Sequence, residues 1–520
     1  MKSFLTFIII VFFGQQTFSQ EGAPISINKQ FYIYGNTAVI GNNIVSKHET
    51  EPFNNRDVIN DEVKMKYVDI DADEATFSSS QATLTIPENS TKIVYAALYW
   101  SAIYKYDKGV LRREGKKKIY KGNESNRDTN INEIRLKLPN SSYKDIKGEI
   151  IYDDLNKKVF PNNTPYACFA DITNLLNQTK QVNGEYTVAN IKATQGFISG
   201  GCSGGWFLYV VYEAPSDHPI YVTTYNGFIQ VNKQNPSTII FKDFKTQEKG
   251  FVKTNLTLAT LEGDHKLKSD QCLVLNPKDS SYVALGNLIR RDKNFFNSKI
   301  TFNEDEFENR KPYSKNTLGF DLLQMQLPNP NNDLISNNVD EITMKIKTKG
   351  DRFYLFFSAF QTDISDINYI QNRENKLVNE IATEENKILE KNTDQEINAT
   401  KSTKTEVDEV KIKEQPKTKV KPYSKEVKKV LQSNSITIPD EESGYYLVTN
   451  VFSKHRNTES WIAFLESKGH SPKVFTNPKN NWEYVYVSDS ENIELVYNSY
   501  KEIYKLSYLK NIWIFKINLP

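Results

Sequence analysis

Residues 201–205 read Gly-Cys-Ser-Gly-Gly, and the serine at their centre matches the G-x-S-x-G pattern of a hydrolytic nucleophile. Such a serine is reactive when a strand delivers it to a sharp turn and a helix follows. Here the following residues, WFLYVVYE over 206–213, have the unbroken apolar and aromatic character of a buried strand. None of the histidines, at positions 48, 218, 265, 455 and 470, lies in a recognisable catalytic context. The sequence therefore predicts that these glycines let the chain turn tightly and approach a neighbouring backbone. The expected protein is not an enzyme.

Two further groups carry metal or redox chemistry. Asp69, Asp71 and Asp73 place hard oxygen ligands at alternating positions, as calcium loops do, although the glycine of the EF-hand pattern is missing. Calcium is the one cofactor these residues suggest. Three cysteines, Cys168, Cys202 and Cys272, allow one disulfide and a spare thiol, or three buried thiols. The glycine-bounded region shared by Cys168 and Cys202 favours that pair. Neither the cysteines nor the histidines have the spacing of a zinc site.

The elements that position these residues read as strands. Segments such as QFYIYGNTAVIGNNIV, QATLTIPENSTKIVYAALYW, YVTTYNGFIQV and EITMKIKTKGDRFYLFFSAF alternate apolar and polar residues between Gly, Asn, Asp and Pro clusters. That period-two pattern predicts a large antiparallel β-sandwich over residues 22–365, with short helices such as 169–176 between strands. The 29 tyrosines and 29 phenylalanines of the 520-residue chain fit such a fold. A net charge of only +2 offers no global field for a polyanion, so nucleic acid is not an expected partner.

Residues 1–20 read as a secretory signal peptide, with Lys2 ahead of the apolar run FLTFIIIVFFG. No later stretch is apolar enough to span a bilayer, and the expected location is the periplasm or cell envelope, with the cell surface as the alternative. Residues 366–440 change character. A sparse apolar stripe over 368–392 suggests a surface helix or short coiled coil, and between Lys401 and Val430 ten lysines and five acids accompany a single aromatic, Tyr423. Such a composition buries too little apolar area to offset its ordering entropy, which predicts a flexible linker.

From 441 to 520 the pattern becomes strand, amphipathic helix, two strands, helix, strand: a βαββαβ module. Two helices cover one face of its sheet. Leu447, Thr449, Val451, Val485, Val487, Ile512 and Ile514 are expected to face them. Tyr446, Val448, Asn450, Tyr484, Tyr486, Trp513 and Phe515 are expected on the uncovered face. The first strand, Tyr446-Leu447-Val448-Thr449-Asn450-Val451-Phe452, and the helix ending at Lys468-Gly469 resemble the SPOR family. Members of that family bind peptidoglycan glycan strands on the uncovered sheet face. The resemblance implies that role for the seven outward residues, with Val448 and Asn450 standing where Gln and Gly are common. An RNA-binding domain of the same topology would stack bases there, but the basic RNP1 pattern is missing.

The large domain also carries a resemblance. Asp69 to Asp73, Ala96-Ala97-Leu98-Tyr99-Trp100, Ala170 to Thr173, Gly205 to Glu213, Glu262-Gly263-Asp264, Asn294 to Ser298 and Asn316 to Asp321 resemble the N-terminal β-rich domain of surface and gliding adhesins of Bacteroidota. Together the two resemblances imply a non-enzymatic envelope protein. Its C-terminal module would hold peptidoglycan and its β-sandwich would meet a surface or gliding-motility partner. An adhesin for external glycans and a wall hydrolase are the alternatives.

Overall fold

A computed structural model describes residues 22–71, 73–372, 431–437, 443–452, 455–478, 481–504, 506, 509 and 512–518. The expected signal peptide and most of the expected linker lie outside the described residues. The chain divides into two units, Met1–Tyr369 and Ile370–Pro520, and is mainly β with a C-terminal βαββαβ segment.

In the first unit, one five-stranded sheet runs in the order Glu149–Asp153, Pro165–Asp171, Lys92–Ile103, Gly204–Glu213, Gly35–Asn43. A seven-stranded sheet contains Gly22–Ile33, Ile220–Val231, Phe353–Asp363, Thr254–Leu261 and Phe320–Gln326 as successive neighbours. The sheets pack face to face because each turns aromatic residues to the other. Tyr99 and Phe207, paired across neighbouring strands, stack with ring centroids 4.8 Å apart. Phe357 of the larger sheet meets them at 4.7 and 4.9 Å. Full burial of each such ring contributes roughly 1.5–3 kcal/mol. The two largest core residues also satisfy their polar atoms: Trp100 Nε1 donates to the Ile131 carbonyl at 2.9 Å and Trp206 Nε1 to Ser80 Oγ at 2.8 Å.

The expected helix at 169–176 is corrected. Phe169 to Asp171 complete a strand, and the helix spans Thr173–Asn177. Asp171 Oδ1 accepts from both the Thr173 amide and its hydroxyl, which turns the chain out of the sheet before helical bonding begins.

The second unit is built on the sheet Leu431–Thr437, Trp513–Asn518, Gly444–Phe452, Trp482–Ser490, Lys473–Asn477. Helices His455–Ser467 and Ile493–Ile503 lie on one face. Trp461, Leu465 and Val496 from the helices are buried with Leu447, Val485 and Ile514 from the sheet and with Ile512, just ahead of the last strand. Asn492 caps the second helix through the Glu494 amide at 3.0 Å. The strand Leu431–Thr437, which the sequence reading placed in the linker, pairs parallel with Trp513–Asn518 and adds a fifth member to the sheet.

Candidate functional site

The Gly-Cys-Ser-Gly-Gly turn packs tightly against its neighbours. Gly201 has φ +87°, and a Cβ there would lie 2.0 Å from Asn60 Oδ1. A Cβ on Gly205 would lie 2.6 Å from the Phe320 ring. Gly204 opens the strand Gly204–Glu213, so no helix follows the serine and no nucleophile elbow forms. Ser203 is fully buried and donates its hydroxyl to Glu262 Oε1 at 2.5 Å. Asn60 Nδ2 donates to the other carboxylate oxygen at 3.2 Å. Burial pushes the Glu262 carboxyl up to about 8, the bonds from Ser203 and Asn60 opposing it. The Ser203–Glu262 hydrogen bond joins two segments 59 positions apart in the buried interior.

The aspartates over 69–73 bind their own surroundings. Asp69 Oδ1 accepts from Ser79 Oγ at 2.8 Å, Asp71 accepts from the Tyr143 and Thr76 hydroxyls, and Asp73 Oδ1 accepts from the Ala75 amide at 2.9 Å. No group of three acidic, histidine or cysteine ligands forms among the described residues. Where calcium was expected, Asp69 Oδ1, both oxygens of Asp71 and Asp73 Oδ1 thus accept from hydroxyl and amide donors in a turn.

The expected disulfide is corrected as well. Cys168, Cys202 and Cys272 are free and buried. Cys168 Sγ lies 3.7 Å from the Ile131 carbonyl and Cys202 Sγ 3.5 Å from the Ile103 carbonyl, so the two thiols address different backbone groups. Burial pushes all three thiols above their ordinary range.

The uncovered face of the C-terminal sheet is the strongest candidate surface. Tyr446, Val448, Tyr486 and Phe515 lie on it as expected, joined by Val451, Phe475 and Ile517. They are well packed: Tyr446 is 3% exposed, Val448 0%, Tyr486 6% and Phe515 3%. Phe475 stacks on Tyr484 at 4.9 Å and lies 5.5 Å from Tyr446. Tyr484 reaches Phe515 at 5.5 Å. Asn450, Trp482, Tyr484 and Trp513 are half-buried. Trp513 Nε1 is buried and has no acceptor among the described residues.

One expected assignment on this sheet changes. Register shifts between Tyr446 and Val448 and between Val448 and Asn450 interrupt the ladder in the strand Gly444–Phe452, where Asn450, opposite Val485, accepts with its side chain from the Val451 amide at 2.9 Å. Beyond it the alternation inverts, so Val451, expected against the helices, joins the uncovered face, and Phe452 turns to the helices. Thr449 stays on the helical side, where Trp461 Nε1 donates to its Oγ1 at 3.1 Å. Phe475 and Trp482 went unassigned in the sequence reading. Their signal is the hairpin register, which sets Phe475 opposite Tyr484 and Asn477 opposite Trp482.

No family model and no curated protein matches this chain. Among solved structures, wild-type BuGH86 in complex with neoagarooctaose is similar at 10% identity over 66% of this chain, with a TM-score of 0.18. This chain spans 34% of that one. Recombinant peptide:N-glycanase F is similar at 13% identity over 63% of this chain and 96% of its own, with a TM-score of 0.15. PNGF-II is similar at 10% identity over 62% and 65%, with a TM-score of 0.16. Similarity this distant assigns neither family nor activity.

Proposed function

We propose that this is a non-enzymatic envelope protein whose C-terminal unit binds the glycan strands of peptidoglycan on the uncovered sheet face. Its large β unit would meet a surface or gliding-motility partner from the periplasmic side. The observation that carries the reading is the aromatic cluster on a face that neither helix covers. Sugar rings present flat C–H faces that pack on aromatic rings while their hydroxyl and acetamido groups bond polar atoms at the edge.

The packing of the cluster divides the work. Tyr446, Val448, Tyr486 and Phe515 form its floor. Asn450, Trp482, Tyr484 and Trp513 are the side chains a glycan would touch. The unpaired indole N–H of Trp513 is a donor that a sugar oxygen would satisfy, and an unmade hydrogen bond at a buried donor costs about 1–3 kcal/mol.

The test is co-sedimentation of the full chain with purified sacculi, intact or stripped of peptides by amidase, beside Tyr484→Ala and Trp513→Ala variants. Binding that rises on stripping and falls in both variants supports the reading. Equal recovery of wild type and variants, or no binding to either preparation, sinks it. Release of soluble muropeptides by the purified protein would replace it with a hydrolase.

A further inference from the structure

A second surface lies in the large unit. Segment 288–299, with His265, Lys268, Arg56 and Glu306, lines an open cavity of about 560 Å³, within the usual range for small-molecule sites. Its lining carries five cationic side chains, Arg56, Lys268, Arg291, Lys293 and Lys299, against two acids, Asp292 and Glu306. Glu306 is occupied, accepting from Lys299, from Arg56 at 3.3 Å and from Tyr313 at 2.9 Å. Lys268, Arg291 and Lys293 are exposed and have no ion pair among the described residues.

The cations stand on a fixed frame. Arg290, fully buried, bonds the carbonyls of Phe295 at 2.7 Å and Lys299 at 2.6 Å and pairs with Asp321 at 2.7 Å. Asp321 in turn accepts from the amides of Asn297, Ser298 and Lys299. The loop backbone is thus tied from inside, and side chains on such a frame lose less entropy on binding than those of a loose loop.

The cavity also holds acceptors in need of donors. Asn294, 8% exposed, gives its Nδ2 to the His265 carbonyl at 2.8 Å, while its buried Oδ1 has no partner. His265 Nδ1 is also buried without a partner, a donor or an acceptor according to its tautomer. A bare oxyanion such as sulfate answers the cations but has no hydrogen to offer Asn294 Oδ1 or Asp292. A ring carrying both an acidic group and hydroxyls answers both sets.

We infer that this cavity binds an anionic saccharide, with Lys268, Arg291 and Lys293 holding its carboxylate or sulfate ester and Asp292 and Asn294 accepting from its hydroxyls. The site is separate from the uncovered sheet face of the C-terminal unit and does not depend on peptidoglycan binding.

The test is calorimetric titration of the full chain with digalacturonate, with a sulfated heparin disaccharide, with neutral cellobiose and with inorganic sulfate, at low and moderate salt. At least one charged disaccharide is expected to bind, less tightly as salt rises, and which one binds identifies the acidic group. The Arg291→Ala/Lys293→Ala variant and, separately, Lys268→Ala are each expected to weaken binding about tenfold or more. These exposed positions can be changed without opening the core, which unchanged thermal unfolding would verify. The inference is overturned if neither charged disaccharide binds, if the variants bind as wild type does, or if cellobiose or sulfate alone binds as tightly.

Discussion

Ser203 and Glu262, 59 positions apart in the chain, are joined by a 2.5 Å hydrogen bond in the interior of the large unit. Around them are further buried carboxyls that burial displaces in the same direction, Asp264 to about 6, Asp270 to about 7 and Asp351 to about 8. Their ordinary values lie near 4, so between there and about 8 the folded chain keeps protons that the unfolded chain has released. Stability is then greatest at the acid end of that window and falls as pH rises through it. Urea midpoints at pH 5, 6, 7 and 8 are expected to decline, and Glu262→Gln is expected to flatten the decline. Asp71, Asp128 and Glu306, held below the usual carboxylate range, act in the opposite sense at lower pH.

The Arg290 and Asp321 pair, 0% and 1% exposed, sets a second expectation. Asp321→Ala strands a buried guanidinium and three backbone amides, so the large unit should lose about 3–5 kcal/mol of stability. Denaturant unfolding followed by tryptophan fluorescence measures it, and a loss under 1 kcal/mol would mean that water enters and replaces the carboxylate.

The three cysteines are expected to behave as inert thiols. Without reductant, the native protein should resist an aromatic disulfide reagent, and the denatured protein should release three equivalents of thiolate. Two missing equivalents would reveal a bridge.

Truncation on the C-terminal sheet should separate packing from binding. Tyr446→Ala removes a ring of the buried cluster and is expected to cost about 3–5 kcal/mol, seen as lost amide-exchange protection across the C-terminal unit. Trp513→Ala, at a half-buried position, should retain that protection and lose retention on sacculi instead.

The strands of the large unit were legible because period-two alternation bounded by turn residues leaves few other readings. Gly204–Glu213 and Phe353–Asp363 fall where the sequence places them. The faces of the C-terminal strands followed from the same alternation up to the register shifts on either side of Val448, past which Val451 and Phe452 exchange faces. Nothing local announces such shifts, since they are defined by the register of the neighbouring strand. The partners of Asp69 and Asp71 were hidden for a related reason: the donors Ser79 and Tyr143 lie outside the run of alternating acids. The pairing of Glu262 with Ser203 and Asn60 carried no local signal, because tertiary packing alone brings these partners together.

The parallel strand Leu431–Thr437 also has a mechanical meaning. It is the first described segment of the C-terminal sheet on the side from which the large unit's chain arrives, and its backbone bonds to Trp513–Asn518 lie across the strand axis. Tension passed down the chain along that axis loads these rungs together in shear instead of peeling them one by one. Under the proposed wall attachment, a pull transmitted through the preceding chain would load this parallel ladder before the rest of the C-terminal sheet.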